Sequence, residues 1–233
     1  IFRTIGRDDQ QGPAAAKFVI NKAMPKKVAV LHDKQSYGQG IAASVRDELK
    51  KANVDVALFE GINAGDSDYS AVITKLKSAG ADFVYYGGYH PEMGLLLRQA
   101  AEQGLRVRMM GPEGVGNPEI NAIAGNAVEG MLVTLPADPA SKPENAALVK
   151  AFKDKGRDPS GAFQMGAYTA TQVLAQSIKA VGDDAEKVAD YLHKTTFNMP
   201  TGNVAWDAKG DLKAFDFPVY SWHKDGSKSV AEK

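Results

Sequence analysis

Two hydrophobic periodicities alternate over the first 135 residues, and that alternation leaves few folds open. Apolar runs that read as strands fall at 28–32, 54–59, 82–86, 107–111 and 130–135, their starts roughly two dozen residues apart. Between them apolar residues recur at helical spacing: Ile41, Val45 and Leu49, then Tyr69, Val72, Ile73 and Leu76, then Met93, Leu96, Leu97 and Ala100. Connections with room for one helix and little else make successive strands parallel and cover both faces of the sheet. The pattern predicts a doubly wound α/β lobe.

The texture changes after Pro136. A segment rich in Pro, Asp, Ser and Lys at 137–143 reads as a linker, followed by helical patterns at 145–155, 163–181 and 185–195 with no strand between them. Gly182-Asp183-Asp184 supplies stop and cap signals between the last two. Strands are expected at 202–206 and 215–222, with Asp207-Ala208-Lys209-Gly210-Asp211 turning between them. Three amphipathic helices with no parallel sheet to lie on make the second lobe look incomplete.

The uncharged stretch 161–178 approaches the roughly 20 residues that a membrane span needs. Gln164, Thr169, Thr171, Gln172, Gln176 and Ser177 would be costly in lipid, so the reading is a soluble helix that buries Phe163, Ala167, Ala170, Leu174 and Ile178. The chain opens on Ile-Phe-Arg-Thr, without an initiator Met or the basic and apolar regions of a leader, so processing or truncation is expected to have removed an earlier start. Basic and acidic residues balance at 28 each, which leaves no net field to gather nucleic acid or an anionic membrane. The absence of Cys excludes disulfides, thiolate catalysis and Cys-ligated zinc.

In an open parallel sheet the ligand crevice lies outside the carboxyl ends of the strands. Three of the loops expected there are unusual: His32-Asp33-Lys34-Gln35-Ser36-Tyr37-Gly38, Gly87-Gly88-Tyr89-His90-Pro91-Glu92-Met93-Gly94, and Gly111-Pro112-Glu113-Gly114-Val115-Gly116. Each sets a large or charged side chain among glycines, which let backbone approach a ligand closely. A carboxylate with two tyrosines suits a small cation carrying apolar carbon, the acid pairing with an ammonium and the rings covering the rest. The plainer alternative is that Tyr37 and Tyr89 cap helix starts and Glu113 is a solvated loop acid.

Gly38-Gln39-Gly40-Ile41-Ala42-Ala43 matches the G-x-G-x-x-A dinucleotide fingerprint, with Glu60 where a ribose-binding acid belongs. Against it, Asp33 to Tyr37 separate the strand from the first glycine. A nicotinamide-dependent oxidoreductase of Rossmann type therefore stands as an alternative, beside the small-molecule effector domain of a regulator. The histidines show no metal-ligand spacing and no G-x-S-x-G nucleophile elbow occurs. No catalytic residue, metal or cofactor is expected.

The same loops carry a resemblance that extends over the whole chain. His32-Asp33-Lys34-Gln35 with Tyr37-Gly38, then Phe83 to Tyr89, Met110 to Val115, and Trp206-Asp207 with Lys209 to Lys213 resemble the bacterial Leu/Ile/Val-binding proteins. The resemblance implies a type I periplasmic-binding-protein fold, periplasmic, feeding an ABC transporter permease with branched-chain amino acids and catalysing nothing. It implies a Venus-flytrap clamp, with residues 9–135 and 217–233 as one lobe, 140–212 as the remainder of the other, and crossings near 4–9, 135–139 and 213–219. Glu113 would hold the ligand ammonium, Tyr37 would reach its main-chain groups, Tyr89 would lie over its side chain, and Phe163 would line the apolar pocket. Roughly the N-terminal third of the family's length has no counterpart here, so the fragment is expected to self-associate or to need a complementing N-terminal segment.

Overall fold

In the computed structural model, which describes residues 1–231, the chain forms two compact units. The larger holds Arg7–Leu135 with the chain from Phe217 onward; the smaller holds Ile1–Gly6 with Pro136–Asp216. The last two residues of the expected stretch 217–233 lie outside the described residues. In chain order the elements begin α1 (Asp8–Phe18), β1 (Val28–His32), α2 (Ser36–Lys51), β2 (Val56–Gly61), α3 (Ser70–Ala79), β3 (Phe83–Gly87), α4 (His90–Glu102), β4 (Arg108–Gly111), α5 (Ile120–Ala124) and β5 (Met131–Thr134). They continue α6 (Ala146–Lys153), α7 (Gln164–Val181), α8 (Ala185–Lys194), β6 (Phe197–Met199), β7 (Gly202–Val204), β8 (Val219–Trp222) and β9 (Lys228–Val230).

The larger unit is built on a seven-stranded sheet in the order β2-β1-β3-β4-β5-β8-β9. The first five strands are parallel and the last two antiparallel. Strands β1 and β3, being central, are buried along their whole length, as their unbroken apolar runs require. The chain order reverses between β1 and β3, which opens a crevice at their carboxyl ends. The core packs Val28, Val30, Tyr85, Met110, Leu132 and Val219 beneath α1 and α2.

Gly38 and Gly87 explain part of the fingerprint. A Cβ on Gly87 would run into the Gly38 carbonyl of α2, and one on Gly38 would meet the Asp33 carboxylate and the Gly87 carbonyl. Glycine at 38 is therefore demanded by helix-on-strand packing, whereas Gly40 has open space where its side chain would be. Helix α1 lies outside the alternation, because Gly12-Pro13 reads as a breaker. Burial of Ala15, Ala16 and Val19 overrides that local signal, and Gly12 lets the helix rest directly on Ser44.

The smaller unit combines α6, α7 and α8 with an antiparallel hairpin of β6 and β7. Its core joins Val173, Val188, Leu192, Phe197, Met199, Val204 and Trp206. The strand expected at 202–206 thus pairs with residues just past α8. The one expected at 215–222 shortens to β8 and joins the other unit's sheet. The turn between them survives as a local loop, held by the Trp206↔Leu212 bridge and by Asp207 Oδ1 accepting from the N–H groups of Lys209 (2.8 Å) and Asp211 (3.0 Å).

Helix α7 corrects the expected burial. Phe163, Leu174 and Ile178 are 53%, 49% and 41% exposed, and the buried face carries Met165, Thr169, Val173 and Ser177. Its two hydroxyls are satisfied, Ser177 by the Val173 carbonyl at 2.8 Å and Thr169 by Thr201 at 3.1 Å. No helix among the described residues is long and apolar enough to cross a membrane.

Candidate functional site

Three loops at the carboxyl ends of β1, β3 and β4 bring Tyr37, Tyr89 and Glu113 together. After β1 the chain turns through Lys34 at φ +61°, with Asp33 Oδ1 accepting from the Gln35 N–H at 2.9 Å, and this turn sets Tyr37 in the first turn of α2. After β3, Gly88 leads to Tyr89 as the extended residue before α4, which Pro91 helps to start. After β4, Glu113–Val115 forms a single 3₁₀ turn.

The two tyrosine rings lie 5.4 Å apart, tilted by 39°. Gly114 sits beneath them. Its N–H donates to the Tyr37 hydroxyl across a long 3.4 Å, and a Cβ there would press on the Gly88 carbonyl and on both rings. Tyr89 is 48% exposed and makes no side-chain cap, so its ring forms an open wall.

Glu113 is not a solvated loop acid. Its Oε2 is closed off from solvent with no hydrogen-bond partner. Burial pushes the carboxyl up to about 7, and the negative charge of Asp8 pushes in the same direction. Burial, and then Glu113 itself, also raise the Tyr37 phenol, which stays neutral and able to donate. Such a carboxyl ionises readily only when a cation arrives, and an ammonium with several N–H groups fits the unmet acceptor. Asp8 was not singled out from sequence, because its role follows from α1, the helix that the Gly12-Pro13 pair conceals.

Phe163 is not part of this edge. It precedes α7 in the smaller unit, where with Ile5, Pro136, Met165 and Phe215 it lines a cavity of about 530 Å³. A second cavity, of about 690 Å³, lies in the larger unit. Neither is lined by Tyr37, Tyr89 or Glu113. Among the described residues no group of three or more His, Asp or Glu side chains is placed to hold a metal ion.

The sequence signature of the periplasmic binding proteins matches residues 1–227. The chain is 58% identical over 230 residues to the leucine-, isoleucine-, valine-, threonine- and alanine-binding protein of Pseudomonas aeruginosa, covering 98% of this chain and 62% of that protein. It is 47% identical over 232 residues to the Leu/Ile/Val-binding protein of Escherichia coli K12, covering 100% of this chain and 63% of the relative. The fold superposes on a leucine binding protein from Thermotoga maritima with a TM-score of 0.83 and 31% identity, over 97% of this chain and 65% of that one. A branched-chain amino acid transporter substrate binding protein from Streptococcus pneumoniae, solved with isoleucine, shares the fold at a TM-score of 0.82 and 23% identity, over 97% and 66% of the two chains. The chain therefore spans a little under two thirds of the length of these relatives.

Proposed function

The chain belongs to the periplasmic binding protein family, and on that premise we propose that it is part of an extracytoplasmic protein that captures branched-chain amino acids. The observation that carries the reading is the donor-less, buried Oε2 of Glu113 beside the Tyr37 and Tyr89 rings. The ligand's α-ammonium pairs with Glu113, the neutral Tyr37 hydroxyl reaches its main-chain groups, and Tyr89 covers its aliphatic side chain. Phe163 is the smaller unit's candidate for apolar contact. The captured amino acid is delivered to the permease of an ABC transporter, and the working compartment is the periplasm. The Pseudomonas aeruginosa relative, named for threonine and alanine as well as leucine, isoleucine and valine, supports a ligand set that extends to smaller side chains.

Calorimetry of the full-length protein against the twenty amino acids tests this. Heats for leucine, isoleucine and valine, with none for charged amino acids, are expected. Absence of any heat, or binding and turnover of NAD(P)H instead, overturns it. The packing role of Gly38 argues against a nucleotide there, since its missing Cβ is already filled by protein.

A further inference from the structure

We infer that Ser229, His223 and Glu129, at the opposite end of the larger unit's sheet, form an acyl-transfer site in which Ser229 is the nucleophile toward short apolar esters. His223 Nε2 lies 2.9 Å from Ser229 Oγ, and His223 Nδ1 lies 2.9 Å from Glu129 Oε1. Nucleophile, base and orienting acid are thus joined in one line, the arrangement by which a serine hydroxyl is activated.

Each member is held in place by backbone. The second carboxylate oxygen of Glu129 accepts from the Lys224 N–H at 2.8 Å. His223 opens the turn between β8 and β9, its N–H donating to the Ser227 carbonyl and its carbonyl accepting from Gly226, each at 2.9 Å. Gly226 takes φ +82°, which a glycine allows without strain. The hydrogen bond from His223 holds the Glu129 carboxyl below its ordinary value, so it is ionised at neutral pH. An ionised acceptor at Nδ1 fixes the ring proton there and leaves the Nε2 lone pair facing Ser229.

The surroundings suit an ester. Ser229, His223 and Glu129 line the cavity of about 690 Å³, whose apolar floor includes Phe18, Met109 and Leu132. Strand β9 is the outer strand of the sheet, and Ser229 pairs with Ser221. The bonds from His223 to Ser227 and from Ala231 to Val219 put Ser221 and Ser229 in the hydrogen-bonded register. The N–H of Val230 therefore points to the open edge, where it can donate to a carbonyl oxygen that gains charge.

In the reaction the Ser229 hydroxyl proton passes to Nε2 as Oγ bonds the ester carbonyl carbon. The bond to the alcohol oxygen then breaks, and the imidazolium returns the proton to that oxygen. Water next adds to the acyl carbon with His223 taking its proton; Oγ leaves, recovers that proton, and the carboxylic acid departs.

A fluorophosphonate probe with mass spectrometric mapping, together with hydrolysis of p-nitrophenyl butyrate between pH 5 and 9, tests the site. The expected result is an adduct on Ser229 and a rate that rises with pH. Both should fall by roughly 100-fold or more in Ser229→Ala and in His223→Gln, the range a positioned general base contributes. Ser229 is exposed, so Ser229→Ala should melt like the parent and report chemistry alone. No adduct, an adduct on tyrosine or lysine, or hydrolysis unchanged in Ser229→Ala overturns the inference.

Discussion

A carboxyl whose Oε2 is sealed off without a donor must either hold a proton or meet a cation, and at Glu113 that choice falls near neutral pH. Removing one partner of a desolvated, charge-assisted pair costs about 2 to 5 kcal/mol, so Glu113→Ala should weaken amino-acid binding by roughly 30-fold or more in calorimetry. Tyr89→Ala removes only apolar cover and should cost less. The ligand takes the ionised carboxylate, so below about 7 a proton must leave first and affinity should fall about tenfold per pH unit. Titration in buffers of different ionisation enthalpy should register that proton. Stability of the ligand-free fold runs the other way. With the folded value raised above the ordinary 4.5, the native state binds the extra proton between 4.5 and about 7, and stability is lost as pH rises through that window. Allowing for partial solvent screening, Glu113→Gln should therefore stabilise the empty protein by on the order of 2 kcal/mol at pH 8 and by little at pH 4. Urea midpoints at the two pH values check the sign.

Among the elements, α2 and α7 show two ways in which a helix is placed. Helix α2 sits on β3 with Gly38 and Gly87 in mutual contact, and neither backbone can give way to a new methyl. Gly87→Ala should therefore cost about 1 to 3 kcal/mol through overpacking and move Tyr37 with its helix, whereas Gly40→Ala, in open space, should be neutral or slightly stabilising by helix propensity. Helix α7 buries Val173 and exposes Leu174. Val173→Ala should cost about 2 kcal/mol, while Leu174→Ala should stay within about 0.5 kcal/mol, and a denaturant series on the pair reads the difference.

For the molecule as a whole, the exposed face of α7 has consequences for association. Phe163, Leu174 and Ile178 share an uncharged stretch that runs from Gly161 to Ile178, so this segment brings no charge of its own to that face. The 233-residue chain is expected to self-associate through this face, with a scattering mass that rises with concentration and with Leu174→Lys restoring the monomer. A monomer at every concentration, with strong amide protection across 163–181, would show that the smaller unit is sufficient in itself. The core that joins α7, α8 and the hairpin is what would supply that protection.

Sequence alone determined the parallel part of the sheet, because strands buried on both faces must be written as unbroken apolar runs, and those runs identify β1, β3, β4 and β5 almost residue for residue. It also marked the loops that carry Tyr37, Tyr89 and Glu113, since glycines flanking tyrosine or glutamate at successive strand ends are written in the sequence itself. Tertiary structure alone decided what local signals misreport. Helix α1 forms across Gly12-Pro13 because its apolar residues have a core to enter, and Asp8 gains its electrical hold on Glu113 through that helix. Strand β8 does not join the β6–β7 hairpin that precedes it but pairs with β5, a choice set by long-range hydrogen bonding. The α7 stripe faced outward for a related reason: periodicity shows that a helix has two faces, but only the shape of the small, hydroxyl-bearing face against the hairpin settles which one is buried.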